Sequence, residues 1–209
     1  MLAPGLTAGD SDGKAAPVDA PTLPLTPTSP TWLAVALADL DTVHQDHLHC
    51  ERKAAQSALS LVRSYPDRLD LVLAVSRLAH EETAHVVQVT QLLGRRGVAP
   101  TMDFGDEYAA ALYANVRRGE PARLLDRLLV FALIEARSAE RLGLLADAIT
   151  DEATATLYRG LATAEDRHRD TFLELAAAAA PAEWQARLTV LARAEADVVA
   201  RLPVRARIH

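Results

Sequence analysis

The sequence predicts an all-α protein built as a bundle of long helices, and three observations support this prediction. Aromatic residues make up only 4% of the 209 residues, which disfavours a β-sandwich or a β-barrel. Many segments are rich in Ala and Leu, and their apolar residues recur with the 3.6-residue period of an amphipathic helix. A chain of this length is expected to form one domain with its own hydrophobic core.

Two long helices joined by a tight turn form the first predicted hairpin. One apolar stripe runs over about residues 31–64, and a second runs over about residues 67–95. The segment between them contains Pro66, which interrupts a helix because proline lacks a backbone N–H. Since the turn is short, we expect the two helices to be antiparallel.

A second hairpin is predicted after a long crossover. A short helix around residues 106–118 interrupts this crossover. A long apolar stripe then leads to Thr150 and Asp151, which supply a turn and a helix N-cap, and another long stripe follows. After Pro181 a last helix is expected to pack on the outside of the bundle.

Residues 1–30 differ from the rest of the chain because they contain six of its 11 prolines, among Gly, Ser, Thr and Asp. This composition predicts a flexible tail, so residues 31–203 are expected to form the bundle domain. The tail lacks the basic start and apolar run of a signal peptide, and no segment approaches the ~20 apolar residues of a membrane span. We therefore expect a cytoplasmic protein without a membrane partner.

Acidic residues and histidines interrupt the apolar stripes of the four long helices. Two of these helices carry a Glu-x-x-His motif, which places a carboxylate and an imidazole one turn apart on one face. Each of the other two carries a single inward glutamate. The combination is that of the di-iron or di-manganese site in ferritin-like four-helix bundles, which have a long crossover and can carry additional short helices. The candidate ligands are Glu51, Glu82, His85, Glu135, Glu165 and His168.

The spacing of the four glutamates allows them to meet at one level of the bundle. In an antiparallel hairpin, residues equidistant from the turn lie side by side. The midpoint of Glu51 and Glu82 falls on the first predicted turn, and that of Glu135 and Glu165 falls on the second. Four carboxylates offset the charge of two divalent cations, and mixed oxygen and nitrogen donors suit iron or manganese.

The third long helix offers two glutamates for the inward position, Glu135 and Glu140. Glu135 continues the line of Leu128 and Leu142, whereas Glu140 shares a face with Arg137. We therefore expect Glu135 to be the ligand, with Glu140 as the alternative.

Two further residues are candidates for support of the ligands. His47, like His44, precedes Glu51 on about the same helix face, and either acts near the ligands or is a capping or solvent-facing histidine. Tyr158 lies one heptad before Glu165 and either borders the active cavity or packs in the core.

The net charge of −6 gives the protein no global attraction for nucleic acid. An RNA partner would have to use local arginines, and two arginine pairs at predicted helix ends are the candidates. A basic pair at a helix C-terminus also compensates the helix dipole, so both interpretations stay open. The four residues are Arg95, Arg96, Arg117 and Arg118.

Three blocks of the sequence are characteristic, namely residues 46–55, 78–85 and 134–141. They resemble blocks of the MiaE family of ferritin-like, non-haem di-iron tRNA hydroxylases, and the resemblance covers about residues 31–200. The Asp-His-x-His-Cys-Glu pattern of the first block is its most specific part. The resemblance implies that the same six candidate ligands bind two iron ions.

The resemblance also implies a reaction and its partners. It is the O₂-dependent hydroxylation of the isopentenyl group of 2-methylthio-N6-isopentenyladenosine in the anticodon loop of tRNA. Two external electrons are consumed, so an electron donor or reductase is expected as a second partner. Two other functions suit a di-iron bundle: an oxygenase or peroxidase acting on a small molecule, and an iron-binding or storage protein.

Overall fold

The described part of the chain forms seven helices and contains no β-strand. The structure is a computed structural model that describes residue 23 and residues 25–209. None of the described helices is both long and apolar enough to cross a lipid bilayer. The helices are α1 (Pro30–Ala38), α2 (Leu40–Ser64), α3 (Leu69–Arg95), α4 (Glu107–Tyr113), α5 (Ala122–Ala148), α6 (Glu152–Ala179) and α7 (Trp184–Arg201).

Two antiparallel hairpins form the four-helix core, which confirms the predicted fold class. Helix α2 packs mainly on α3, and α5 packs mainly on α6. The first turn follows Ser64, and the second ends at Asp151, whose side chain accepts a hydrogen bond from the backbone N–H of Thr154 at 2.9 Å. An aspartate at this position satisfies a backbone donor that the first turn of a helix leaves free.

The bounds of two helices in the structure differ from the predicted bounds. The first is divided at Asp39, which leaves the helical conformation and accepts a hydrogen bond from the N–H of Thr42. The apolar period continues across this break, so the period alone could not reveal the N-cap. The helix expected over residues 106–118 ends at Tyr113, and the Asn115 side chain caps it by donating to the carbonyl of Ala111.

The core is divided along the bundle axis into two apolar clusters. One lies towards the first turn and includes Leu61, Val75 and Phe172, and the other lies towards the second turn and includes Val43 and Leu92. On each long helix the candidate ligands fall between these two clusters. We call the six residues between them the polar layer: Glu51, Glu82, His85, Glu135, Glu165 and His168.

Segments on both sides of the expected bundle domain also pack on it. Most of the predicted tail, residues 1–22 and 24, lies outside the described residues. Thr28 is buried, and its hydroxyl and backbone N–H each donate to the Glu140 carboxylate at 2.7 Å. At the other end Ile208 is fully buried. For the described residues, the packed body therefore extends beyond the limits of 31 and 203.

A buried ion pair joins α5 to α7. The Arg137 Nε donates to Glu195 Oε1 at 2.9 Å, and both side chains are 0% exposed. Tyr108 on α4 donates to the same oxygen at 3.0 Å, and Arg137 also donates to the Thr28 hydroxyl at 3.0 Å. The pair therefore connects the outer helices and the segment before α1 to the central bundle.

Replacing Arg137 with methionine is expected to destabilise the protein by about 3–5 kcal/mol, because it leaves the Glu195 carboxylate buried without its cation. The measurement is urea unfolding of the metal-free protein. The double variant Arg137→Met/Glu195→Leu should recover part of the loss, since no charge then stays uncompensated. Equal or greater destabilisation in the double variant would contradict this explanation.

Candidate metal centre

The structure brings the six candidate ligands together in the polar layer, where none is more than 5% exposed. Their donor atoms form two groups, within each of which all atoms lie within 4.8 Å of one another. Glu82 and Glu165 belong to both groups. Glu51 and His85 complete the first group, and Glu135 and His168 complete the second. Two adjacent positions that share two carboxylates are the arrangement a dinuclear centre requires.

Both histidines direct Nδ1 towards the carboxylates. His85 Nδ1 lies 3.3 Å from Glu51 Oε2 and 3.5 Å from Glu82 Oε2. His168 Nδ1 lies 2.8 Å from Glu82 Oε1 and 3.3 Å from Glu165 Oε2. The spacing of three residues in each motif produces this geometry, because it places both side chains over the same helical turn. Nδ1 is therefore the atom available to a cation.

The layer contains more negative charge than its own histidines can balance. Burial and the neighbouring Glu165 raise the pKa of Glu82 to about 8, and the same two causes raise the pKa of Glu135. Burial lowers the pKa of His168, but the neighbouring Glu165 and Glu82 carboxylates outweigh it and raise that pKa to about 11. Without a cation, the buried carboxylates must share protons.

The donor set fits a pair of metal ions. Both carboxylate oxygens of Glu82 are buried and lack a well-oriented hydrogen bond within the described structure, although His168 Nδ1 lies near one of them. Burial of such atoms is unfavourable unless a partner compensates them. Divalent cations, one held by each group of donor atoms, would supply this partner.

The alternative ligand Glu140 lies elsewhere. Its carboxylate binds Thr28 and Arg137, and it belongs to neither group of donors. Glu140 thus lies on the face that it was expected to share with Arg137, while Glu135 points into the layer.

The two histidines before Glu51 are buried, so a solvent-facing role is wrong for both. His47 Nε2 is hydrogen-bonded to Glu51 Oε1. His44 Nδ1 is 2.7 Å from the hydroxyl of Tyr158, whose ring centre lies 5.4 Å from that of His47. Tyr158 is itself fully buried. These residues form a packed group that fixes the position of Glu51.

Glu81 is a contact of the layer that the sequence did not single out. Its carboxylate lies 3.2 Å from His168 Nε2 and also binds Arg167. A carboxylate on the far nitrogen of a histidine fixes the orientation of the ring. The Glu81 side chain is 39% exposed, so only the contact between helices reveals its link to the layer.

The four candidate arginines lie at opposite ends of the bundle. Arg95 and Arg96 end α3, whereas Arg117 and Arg118 precede α5, and a helix of 27 residues separates these levels by roughly 40 Å. Arg117 pairs with Asp126 and Glu183, and Arg96 pairs with Asp41. They therefore do not form one basic patch.

A cavity of about 400 Å³ opens between α2, α4 and α5 and reaches Glu135. Much of its wall is apolar, with Tyr113, Phe131 and Phe172 among the lining residues. A second cavity of about 20 Å³ lies beside Glu51, Glu135 and Glu165. Glu135 lines both spaces, so we call them the large and the small cavity and treat them as the approach to the polar layer. The residues they share are Cys50, Ala54, Ile134, Glu135 and His209.

The fold and the polar layer define the class of the protein. It is a ferritin-like bundle whose buried glutamates and histidines fit metal binding. The sequence also identifies the family to which the protein belongs. The chain belongs to the family described as tRNA-(MS[2]IO[6]A)-hydroxylase (MiaE), whose model matches residues 19–209. The resemblance noted in three sequence blocks is thereby confirmed.

Two curated relatives carry the name tRNA 2-(methylsulfanyl)-N(6)-isopentenyladenosine(37) hydroxylase. The protein from Pseudomonas putida is 45% identical over 150 residues, which cover 72% of this chain and 73% of the relative. The protein from Salmonella typhimurium is 30% identical over 222 residues, covering 83% of this chain and 82% of the relative.

A solved structure is similar along most of its length. It is described as "Protein 43 with aldehyde deformylating oxygenase activity" from Synechococcus. The match has a TM-score of 0.81 and 38% sequence identity, and it covers 88% of this chain and 93% of that chain. The likeness supports the ferritin-like fold.

Proposed function

We propose that this enzyme hydroxylates the isopentenyl group of 2-methylthio-N6-isopentenyladenosine in the anticodon loop of tRNA, in the cytoplasm. O₂ is the co-substrate, and an external electron donor or reductase supplies two electrons. The observation that carries the proposal is the large cavity, much of whose wall is apolar and which ends at Glu135 of the polar layer. A prenyl chain suits such a space, and the Pseudomonas relative is named for this substrate.

The six residues of the polar layer would hold two iron ions. Glu51 and His85 belong to one position, Glu135 and His168 belong to the other, and the two remaining glutamates are common to both. Ferrous ions bound there would supply the reductive activation of O₂, which side chains alone cannot perform. The ring orientation set by Glu81 and the hydrogen bond from His47 to Glu51 keep these ligands in place.

The chain's own residues select and position the substrate. The apolar part of the wall of the large cavity contacts the prenyl chain, and Ile134 and Glu135 form the inner end of the cavity next to the layer. The adenine must leave its stack for the chain to reach this depth, as in other enzymes that modify a base. Of the arginine candidates, Arg118 is exposed and follows the helix that borders the cavity, so it is the one we propose for phosphate contact.

Reduced, iron-loaded enzyme supplied with ¹⁸O₂ is expected to add one ¹⁸O atom to isopentenylated tRNA. The oxygen comes from O₂ because the hydroxylation consumes O₂ and releases the other atom as water. Mass spectrometry of the digested nucleosides measures the label. Samples in H₂¹⁸O with ordinary O₂ serve as the control and should give unlabelled product. Consumption of O₂ with no change in prenylated tRNA would refute the substrate assignment.

A second candidate function is oxygenation of an apolar aldehyde that is not part of a nucleic acid. The similar Synechococcus structure is described as having aldehyde deformylating oxygenase activity, and much of the wall of the large cavity here is apolar. The same enzyme preparation can be given a long-chain aldehyde in place of tRNA. Formate release without any tRNA product would favour this second function over the first.

A further inference from the structure

The last residues of the chain form a strap across the bundle, which we define as residues 203–209. Ile208 is fully buried, and its N–H donates to Asp46 Oδ2 at 2.8 Å. Its carbonyl accepts from Arg141 Nη1 at 2.7 Å, and the carbonyl of Arg207 accepts from Trp32 Nε1 at 2.9 Å. Contacts to three helices therefore hold the strap in a defined position.

The strap places the imidazole of His209 between the two cavities. The side chain is only 4% exposed and stacks on Tyr108 with ring centres 5.0 Å apart. It lines the large cavity and also the small cavity beside the polar layer. His209 is thus the one strap residue that reaches both spaces among the described lining residues.

Both ring nitrogens of His209 have polar partners. Nε2 lies 3.0 Å from the Ser138 hydroxyl, and Nδ1 lies 3.4 Å from Asp106 Oδ2. Asp106 lines the large cavity, whereas Ser138 lines the small one. The three side chains therefore form a hydrogen-bonded row that leads from the large cavity to the polar layer.

The surroundings favour a proton path over a further cation site. Asp106, His209 and Cys50 lie close enough to hold a cation, but the Lys53 ammonium is 3.4 Å from Asp106 and repels one. Burial opposes ionisation of Asp106, yet the His209 hydrogen bond and the N–H of Ala109 hold its pKa below the ordinary value. An ionised Asp106 keeps the proton of His209 on Nδ1, which leaves Nε2 to exchange a proton with Ser138.

We propose that Asp106, His209 and Ser138 form a proton relay that serves the oxygen chemistry of the polar layer, a role that rests on the proposed hydroxylation. That reaction is RH + O₂ + 2e⁻ + 2H⁺ → ROH + H₂O, with the electrons from the external electron donor or reductase. The His209 imidazolium gives its Nε2 proton to Ser138 Oγ as Ser138 releases its own into the small cavity. Between turnovers solvent returns a proton to the vacated Nε2, while Asp106 holds the Nδ1 proton throughout.

Replacing His209 with glutamine tests the relay, because glutamine can form hydrogen bonds but does not exchange protons. We expect product formed per O₂ consumed to fall about 100-fold or more, since a lost acid–base group usually costs roughly 100- to 10,000-fold. Hydrogen peroxide should account for the missing O₂, and the solvent deuterium isotope effect on hydroxylation should increase. Ser138→Ala should change the coupling and the isotope effect in the same direction. This second variant tests the relay independently if His209→Gln does not fold.

Arg205→Gln is the matched control, since the side chain of this strap residue pairs with Glu107 at the surface and is absent from the described lining of the large and the small cavity. It should leave coupling and isotope effect at the wild-type values. A role of His209 in anchoring alone would lower the melting temperature without changing either value. Wild-type coupling and isotope effect in both His209→Gln and Ser138→Ala would therefore overturn the proposal.

A measurement on metal-free protein separates the relay from the proposed function. The ¹⁵N shifts of the His209 ring should show the Nδ1–H tautomer in the wild type, and Asp106→Asn should remove this preference. This result is expected even if the substrate is not tRNA. A ring in the Nε2–H tautomer in the wild type would contradict the relay, whatever the enzyme hydroxylates.

Discussion

Glu82→Ala is expected to lose at least one of the two proposed iron ions and to abolish hydroxylation. Glu82 belongs to both groups of donor atoms, and both of its oxygens are buried in the polar layer. Its loss therefore removes a ligand from both metal positions, whereas the loss of a residue that belongs to one group affects one position only. The same reasoning applies to Glu165, the other shared carboxylate. Elemental analysis after reconstitution with ferrous iron measures the effect.

Two other glutamates of α5 supply the comparison for this experiment. Glu135→Ala should also lose iron, because the Glu135 carboxylate is part of one donor group. Glu140→Gln should keep the full iron content, since Glu140 binds Thr28 and Arg137 instead. Full iron content in the Glu135 variant combined with loss in the Glu140 variant would reverse the assignment. Circular dichroism of each variant shows whether it has folded.

Ala54→Phe is expected to reduce tRNA hydroxylation by about 100-fold or more while the iron content stays unchanged. Ala54 lines both cavities and is not a member of the polar layer. A phenyl group there would occupy the space proposed for the prenyl chain, and displacement of a reacting group by about 1 Å can already cost 100-fold. Nucleoside mass spectrometry and elemental analysis on the same sample measure the two quantities.

The control for this variant is Ala200→Phe, which adds the same group at an exposed position of α7. It should have wild-type activity and iron content. Full hydroxylation by Ala54→Phe would show that the substrate approaches the layer by another route. Loss of iron in the same variant would show that the added ring disturbs the ligands rather than the substrate.

The long helices and the polar layer could be predicted from the sequence because both follow from local spacing. Glu82 and His85 are neighbours on one helix face, and an antiparallel hairpin sets Glu51 opposite Glu82 once the turn is known. The choice of Glu135 over Glu140 followed from the same periodicity. These arguments need only the helical repeat and the position of two turns.

The remaining features depend on contacts between distant parts of the chain, which no period reveals. Asp39 divides the first helix although the apolar pattern continues across it. His209 reaches the site only because the strap is fixed by partners such as Asp46 and Arg141. The sequence does not reveal the contact of Glu81 with His168, since the two residues are 87 positions apart. The cavities likewise arise from packing that sequence spacing does not specify.

The division of the core by the polar layer also determines how the two hairpins align. A slide of one hairpin along the other by one helical turn, about 5.4 Å, would set Glu165 against apolar residues of α3 such as Leu78 or Val89. A buried carboxylate without a polar partner is unfavourable by several kcal/mol, so such a shifted packing is rejected although its apolar contacts would be similar. The side chains proposed to bind the metal therefore also act during folding, before any metal binds. They select a single axial alignment of the two hairpins as the helices assemble.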